Sequence, residues 1–238
     1  MDDVPYGGIN MDYLSILKQK KPALIMSLPG NNVELARIAV ESGADVIKVH
    51  MNVQHRASGL HFGTFEEEKE TLAQIREIAG DRPCGIVAGN SIEDVERDCF
   101  SAAELGYSFV SLYATATPLS VLAYPHMKKM IALAPGYTLE DVRQLPAIGA
   151  DVLEASVMNP QTYGQRLTAK ELLEYAAITE NSKLPVVIPT QRAIRPEEVG
   201  QLASVGVAGI MIGAVVTGKE TDSVKRSVIE FRNAIDRL

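Results

Sequence analysis

Glu41-Ser-Gly-Ala-Asp-Val-Ile-Lys-Val-His50 reads as the end of a helix, a Gly, and a short apolar run. Three more segments repeat that reading: Glu104-Leu-Gly-Tyr-Ser-Phe-Val-Ser-Leu-Tyr113, Ala147-Ile-Gly-Ala-Asp-Val-Leu-Glu-Ala-Ser156 and Ser204-Val-Gly-Val-Ala-Gly-Ile-Met-Ile-Gly213. Gly just past a helix takes the left-handed conformation at little cost. The apolar run that follows is too short for a helix and suits a strand buried on both faces. Repetition of this pattern along a chain means βα units in series.

Working outward, the sequence predicts eight strands: Ala23–Leu28, Asp45–Met51, Cys84–Ala88, Ser108–Ala114, Lys129–Ala134, Asp151–Ser156, Leu184–Pro189 and Ala208–Ile212. Each is followed by a helix or a helix-like connection. Asn32 is placed to cap the first of these, Glu66-Glu-Glu68 suits the dipole at the start of the second, and Pro196 opens the seventh. A short amphipathic stretch, Met11 to Lys18, precedes the first strand. The 238 residues are close to the roughly 250 typical of a (β/α)8 TIM barrel, taken as a single domain over 1–238. A doubly wound open sheet is the alternative, but no GxGxxG follows the first strand.

The chain is 46% hydrophobic and carries a net charge of −7, which supports a large core and argues against a nucleic-acid partner. A small anionic substrate needs only a local positive site and stays open. No apolar run approaches the ~20 residues of a membrane helix, so no membrane partner is expected. The start, Met1-Asp-Asp-Val-Pro5, shows no apolar signal-peptide core, and Cys84 and Cys99 lack metal or redox spacing. These features point to reduced structural thiols and a cytoplasmic location. A homo-oligomer is compatible with them.

Alternate residues of a barrel strand point inward, and the others lie under the helices. In strand two, Ile47, Val49 and Met51 form the apolar outer face, which sends Lys48 and His50 inward. In strand six, Leu153 and Ala155 face out, leaving Glu154 and Ser156 inside, and strand four turns Ser111 and Tyr113 inward. Alternate strands share a layer, so Lys48 and Glu154 are expected to face each other. One reading is an ion pair that only holds the barrel. The other is catalytic, because both residues sit late in their strands, at the end where such barrels do chemistry. His50 fits a structural residue at the mouth, a general acid or base, or a metal ligand, with His61 or His126 as possible further ligands.

Two long polar loops follow charged strands. Loop two carries Asn52, Gln54, His55, Arg56, Ser58, Gly59 and His61; loop six carries Asn159, Gln161, Thr162, Tyr163, Gly164 and Arg166. Both suit a lid or a substrate grip. Asn52, Arg56, His61, Ser111, Tyr113, Asn159 and Arg166 are the expected substrate contacts.

The closing stretch, Leu184-Pro-Val-Val-Ile-Pro-Thr-Gln-Arg-Ala-Ile-Arg-Pro-Glu-Glu-Val199 and then Gly206-Val-Ala-Gly-Ile-Met-Ile-Gly-Ala-Val-Val-Thr217, resembles that of the ribulose-phosphate-binding barrels. In rhythm it is most similar to the N-acetylmannosamine-6-phosphate 2-epimerases, and Lys48 and His50 align with that family's inward Arg and the Asn two residues on. The resemblance implies a phosphate held by backbone at Gln191, Arg192, Gly213 and Ala214. It also has gaps. Thr190 and Gln191 stand where the epimerase has an acid and a Gly, Cys84–Gly89 lacks its Lys, and Pro29 replaces its Gln. Its proton-transfer pair is therefore missing, and Lys48, His50 and Glu154 are left as the catalytic candidates.

The expectation is an enzyme that abstracts a proton next to a carbonyl of a small phosphorylated sugar or related compound. Isomerisation, epimerisation or carbon–carbon cleavage would follow. Glu154 would be the base, Lys48 the electrophile or a Schiff-base amine, and His50 the second proton carrier. No organic cofactor is expected. A non-catalytic ligand-binding barrel and a lyase using a divalent metal are the competing classes.

Overall fold

A computed structural model describes residues 12–238. The reading of Met1 to Pro5, and Met11 of the amphipathic start, lie outside them. Eight parallel strands close into a barrel: β1 (Ala23–Ser27), β2 (Val46–His50), β3 (Cys84–Val87), β4 (Phe109–Tyr113), β5 (Lys128–Ala132), β6 (Val152–Glu154), β7 (Val186–Pro189) and β8 (Gly209–Ile212). β8 closes on β1 with Ala23 opposite Gly209. This is a single (β/α)8 barrel, as the helix–Gly–strand repeats imply. The four glycines of those repeats have φ of 102°, 88°, 89° and 86°, where an L side chain would be strained.

The helices in chain order are α1 (Tyr13–Leu17), α2 (Val33–Glu41), α3 (Phe65–Ala79), α4 (Ile92–Glu104), α5 (Leu119–Ala123), α6 (Leu139–Gln144), α7 (Ala169–Asn181), α8 (Val199–Ser204), α9 (Ala214–Thr217) and α10 (Thr221–Asp236). Their starts carry local signals. Asn32 Oδ1 accepts from the Leu35 amide, and Thr64–Glu67, Thr138–Asp141 and Thr168–Glu171 form capping boxes. None of the described helices is long and apolar enough to cross a membrane. Cys84 and Cys99 are unpaired and buried, and burial pushes their thiols up to about 11 and about 12.

Two apolar layers result from the strand period. The outward residues Ile47, Val49, Met51, Leu153 and Ala155 pack under the helices. The lower barrel interior is a second cluster, Tyr13, Ile25, Val46, Phe109, Met130, Val152, Val187 and Met211. α1 lies across the lower opening and inserts Tyr13, whose ring stacks on Phe109 at 4.0 Å between centroids. Its hydroxyl donates to Met130 Sδ at 3.2 Å. β3 contributes Gly85 here, since a Cβ at that position would stand 2.1 Å from the Phe109 ring. The lower barrel is thus filled with side chains, and the cavity at the C-terminal ends of the strands lies above it.

Between β2 and α3 the polar loop folds back on itself. Val53–Gln54 pairs antiparallel with His61–Phe62, a ribbon that loop reading alone does not anticipate.

Candidate active site

Above the apolar floor a cavity of about 520 Å³ opens at the C-terminal end of the strands. Its wall includes Lys48, His50, Arg56, Ser111, Tyr113, Glu154, Ser156, Tyr163, Gln191, Gly213 and Ala214. β2, β4 and β6 turn Lys48, Ser111 and Glu154 toward one another, as alternate strands of one layer must. Lys48 Nζ stands 3.5 Å from Glu154 Oε2 and donates to Ser111 Oγ at 3.2 Å. Ser111 Oγ in turn donates to the same Glu154 oxygen at 2.7 Å. Lys48 and Glu154 are only 4% and 5% exposed, so the pair is sheltered but faces an open cavity.

The other Glu154 oxygen accepts from Ser156 Oγ at 3.2 Å. Ser156 Oγ accepts from the Tyr113 hydroxyl at 3.3 Å and from Gln191 Nε2 at 3.1 Å. Gln191 Nε2 also donates to the Tyr163 hydroxyl at 2.6 Å, and its Oε1 accepts the Met158 amide at 3.0 Å. A polar chain therefore runs from Lys48 at the floor to Tyr163 on loop six. Burial pushes the Tyr163 phenol up to about 12, so it stays a neutral group.

His50 is 3% exposed and stacks at a tilt on His55 and Phe62, with centroids 4.5 and 4.8 Å away. Its Nδ1 is buried with no hydrogen-bond partner among the described residues. Burial, the His55 ring and the Lys48 ammonium hold it well below the usual imidazole range. Burial and Lys48 lower His55 to about 4, and its Nδ1 lies 2.8 Å from Ser58 Oγ. Both rings are neutral at neutral pH. Asn31 fixes the end of β2 by donating to the His50 carbonyl at 2.6 Å and accepting its amide at 3.3 Å.

Several expected contacts lie elsewhere. Asn52 has φ 55°, and its amide turns outward to the Ala88 carbonyl and Asp98. His61 is exposed on the ribbon, because alternation there sends Phe62 inward onto His50. His126 is exposed as well, against Tyr124, and no cluster of three metal-ligating side chains forms among the described residues. Asn159 caps the Gln161 amide, and Arg166 pairs with Glu198. Arg192 points away from the cavity to Glu171 at 2.6 Å and to the Thr162 carbonyl.

The expected phosphate cradle is partly taken up as well. The Gly213 amide donates to Thr190 Oγ1 at 3.1 Å, and the Gln191 amide to the Pro189 carbonyl at 2.8 Å. Gln191, Gly213 and Ala214 do reach the cavity wall. The positions of Tyr163 and His55 at the site were not singled out by sequence reading. Their signal was only their membership in the two polar loops.

No family model matches the chain, and no curated protein matches it. Solved structures do. A thiamine phosphate pyrophosphorylase from Pyrococcus furiosus superposes with TM-score 0.64 at 19% identity, over 93% of this chain and 98% of that one. A tryptophan synthase from Mycobacterium tuberculosis gives 0.71 at 16%, over 94% and 98%. A KGPDC from Streptococcus mutans in complex with D-R5P gives 0.66 at 15%, over 92% and 99%. At such identities the likeness shows the fold: this chain shares the complete barrel of these enzymes from end to end.

Proposed function

We propose that this barrel is an enzyme acting on a small phosphorylated sugar or related carbonyl compound, and that it works by removing a proton next to the carbonyl. The observation that carries this is the Lys48–Ser111–Glu154 set at the floor of an upper-barrel cavity. The fold likeness to a pyrophosphorylase of thiamine phosphate and to KGPDC bound to D-R5P supports the phosphorylated class.

In the proposed step the Glu154 carboxylate takes the carbon-bound proton, and the electron pair moves onto the carbonyl oxygen. The Lys48 ammonium stabilises the resulting enediolate, and Ser111 keeps both groups aligned. Returning the proton to the other carbon, or to the other face, gives isomerisation or epimerisation. If Glu154 instead took the proton of a hydroxyl on the carbon beyond, the carbon–carbon bond would break, that carbon would leave as a carbonyl, the bonding pair would form the same enediolate, and the enzyme would be a lyase. His50, held neutral, is suited to donate or receive the second proton through its ring nitrogens. A ligand-binding barrel without turnover is the second reading, favoured by Thr190 and Gln191 at the positions where the resembling epimerases carry an acid and a Gly.

The test is solvent exchange. Keto- and aldose-phosphates are incubated with the protein in heavy water, and deuterium at the carbon beside the carbonyl is followed by NMR. Wild type should exchange at least one of them, and Lys48→Ala and Glu154→Gln should abolish this while remaining folded. Exchange that survives in Glu154→Gln, or that only tracks the folded fraction of each variant, would overturn the assignment.

A further inference from the structure

We propose that the substrate's phosphate is held by Arg56, at the turn of loop two, and not by the backbone at the ends of β7 and β8. The inference rests on the proposed function and narrows its substrate. The compound would carry a phosphate monoester at the cavity mouth and its carbonyl down at Lys48.

Charge accounting comes first. Glu154 is the one carboxylate in the described cavity wall, and Lys48 and Arg56 are its two permanent cations, His50 and His55 being neutral. Lys48 pairs with Glu154. Among the described residues no carboxylate pairs with Arg56, an exposed side chain of the cavity wall, so the wall carries one unpaired positive charge on its solvent side. A guanidinium takes two oxygens of a phosphate in a parallel, charge-assisted pair of hydrogen bonds.

Arg56 also sits on a built turn. The His55 amide donates to the Leu60 carbonyl and the Gly59 amide to the His55 carbonyl, each at 2.8 Å. Gln54 Nε2 donates to the Gly59 carbonyl, and Lys219 Nζ ties the Ser58 carbonyl to the segment between α9 and α10. The backbone carrying Arg56 is therefore anchored on both sides. Tyr163 lines the same cavity, close enough for the Arg56 charge to act on the phenol. The Tyr163 hydroxyl accepts from Gln191 and also interacts with the Tyr113 hydroxyl, so it borders the anion's place as a neutral polar group.

The competing place is weaker by the same reasoning. Two of its amides are engaged internally, by Thr190 Oγ1 and by the Pro189 carbonyl. Arg192, the side chain that would add charge there, is committed to Glu171. What remains is the start of α9, a helix of four residues, too short to build much of a dipole.

Thermal unfolding with inorganic phosphate separates the two places without needing turnover. Sodium chloride at matched ionic strength is the control. The variants are Arg56→Ala, Arg56→Lys and Ala214→Pro. Proline at the first helical position removes one amide donor and is tolerated there, and Gly213 before it is extended. Phosphate should raise the melting temperature of wild type and Ala214→Pro alike. Arg56→Ala should weaken the response by about tenfold or more, and Arg56→Lys by less, since one bidentate charge-assisted contact is at stake. A wild type that does not respond, or an Arg56→Ala that responds as wild type does, overturns the inference. So does a response lost only in Ala214→Pro. Deuterium exchange without a phosphate response would leave the proposed reaction standing and remove this anchor; the converse would keep the anchor and remove the reaction.

Discussion

Two halves of one barrel interior are built from the same strands, two residues apart. β2 contributes Val46 to the lower half and Lys48 to the upper, β4 gives Phe109 and then Ser111, and β6 gives Val152 and then Glu154. The lower half is closed by Tyr13 and filled by aromatic and branched side chains. The upper half is polar and opens into about 520 Å³ of cavity. One step of the strand period thus separates side chains that hold the barrel together from side chains free to meet a ligand. A buried charge must therefore be judged by what it faces. Lys48 and Glu154 are as hidden from solvent as much of the core, yet they border open space.

Substitution should cost the most at the barrel floor. Phe109→Ala removes the ring that fills the space left by Gly85 and stacks on Tyr13, and should cost about 3–5 kcal/mol by denaturant unfolding. A loss under about 1 kcal/mol would mean that the floor is not tightly packed. The same measurement on Glu154→Gln should show a smaller loss, no more than about 2 kcal/mol. Lys48 then keeps Ser111 as a partner and water from the cavity can reach it, unlike a dry pair, whose rupture costs about 3–5 kcal/mol. A loss in that larger range would place the pair with the lower half and make it a structural bond.

The smallest effect sharpens the upper half. His55 has its folded pKa lowered from 6.5 to about 4, so the unfolded chain binds its proton first as the medium becomes acidic. Its stabilising contribution is full above pH 6.5 and falls as pH drops toward 4. His55→Gln should therefore lose less stability than wild type across that window. A difference of about 1 kcal/mol is expected, because the ring is partly exposed and its surroundings are screened. Parallel stability curves between pH 6.5 and 4 would show that burial and the Lys48 charge do not hold His55 neutral.

The strands, their inward rows and the meeting of Lys48 with Glu154 could be read from the sequence because they follow from a period of two repeated eight times. Each Gly after a helix resets the phase, and Ile47, Val49 and Met51 leave only one direction for Lys48. Loop side chains obey no such period. Arg192 finds Glu171, 21 residues back on another element, and Asn52 turns away because its backbone is left-handed and Asp98 awaits its amide. These choices are settled by partners that approach only when the barrel is closed. The Val53–Phe62 ribbon is hidden in the sequence for a related reason: two residues a side is too short a run for alternation to stand out.

The Tyr13 contact also constrains the order in which the molecule can be made. Tyr13 is among the first side chains of the described chain, yet its hydroxyl docks on Met130, 117 residues later, and the cluster around it includes Met211. β1, which follows it directly, has β8 as one of its two neighbours, pairing Ala23 with Gly209. Contacts this distant in sequence are slow to form, because loop closure must precede any gain from them. During synthesis Tyr13 stays undocked until Phe109 and Met130 have emerged, and β1 lacks one neighbour until β8 does. A nascent chain halted before β8 can hold helices and a partial sheet, but its β1 lacks one of the two neighbours that close the barrel.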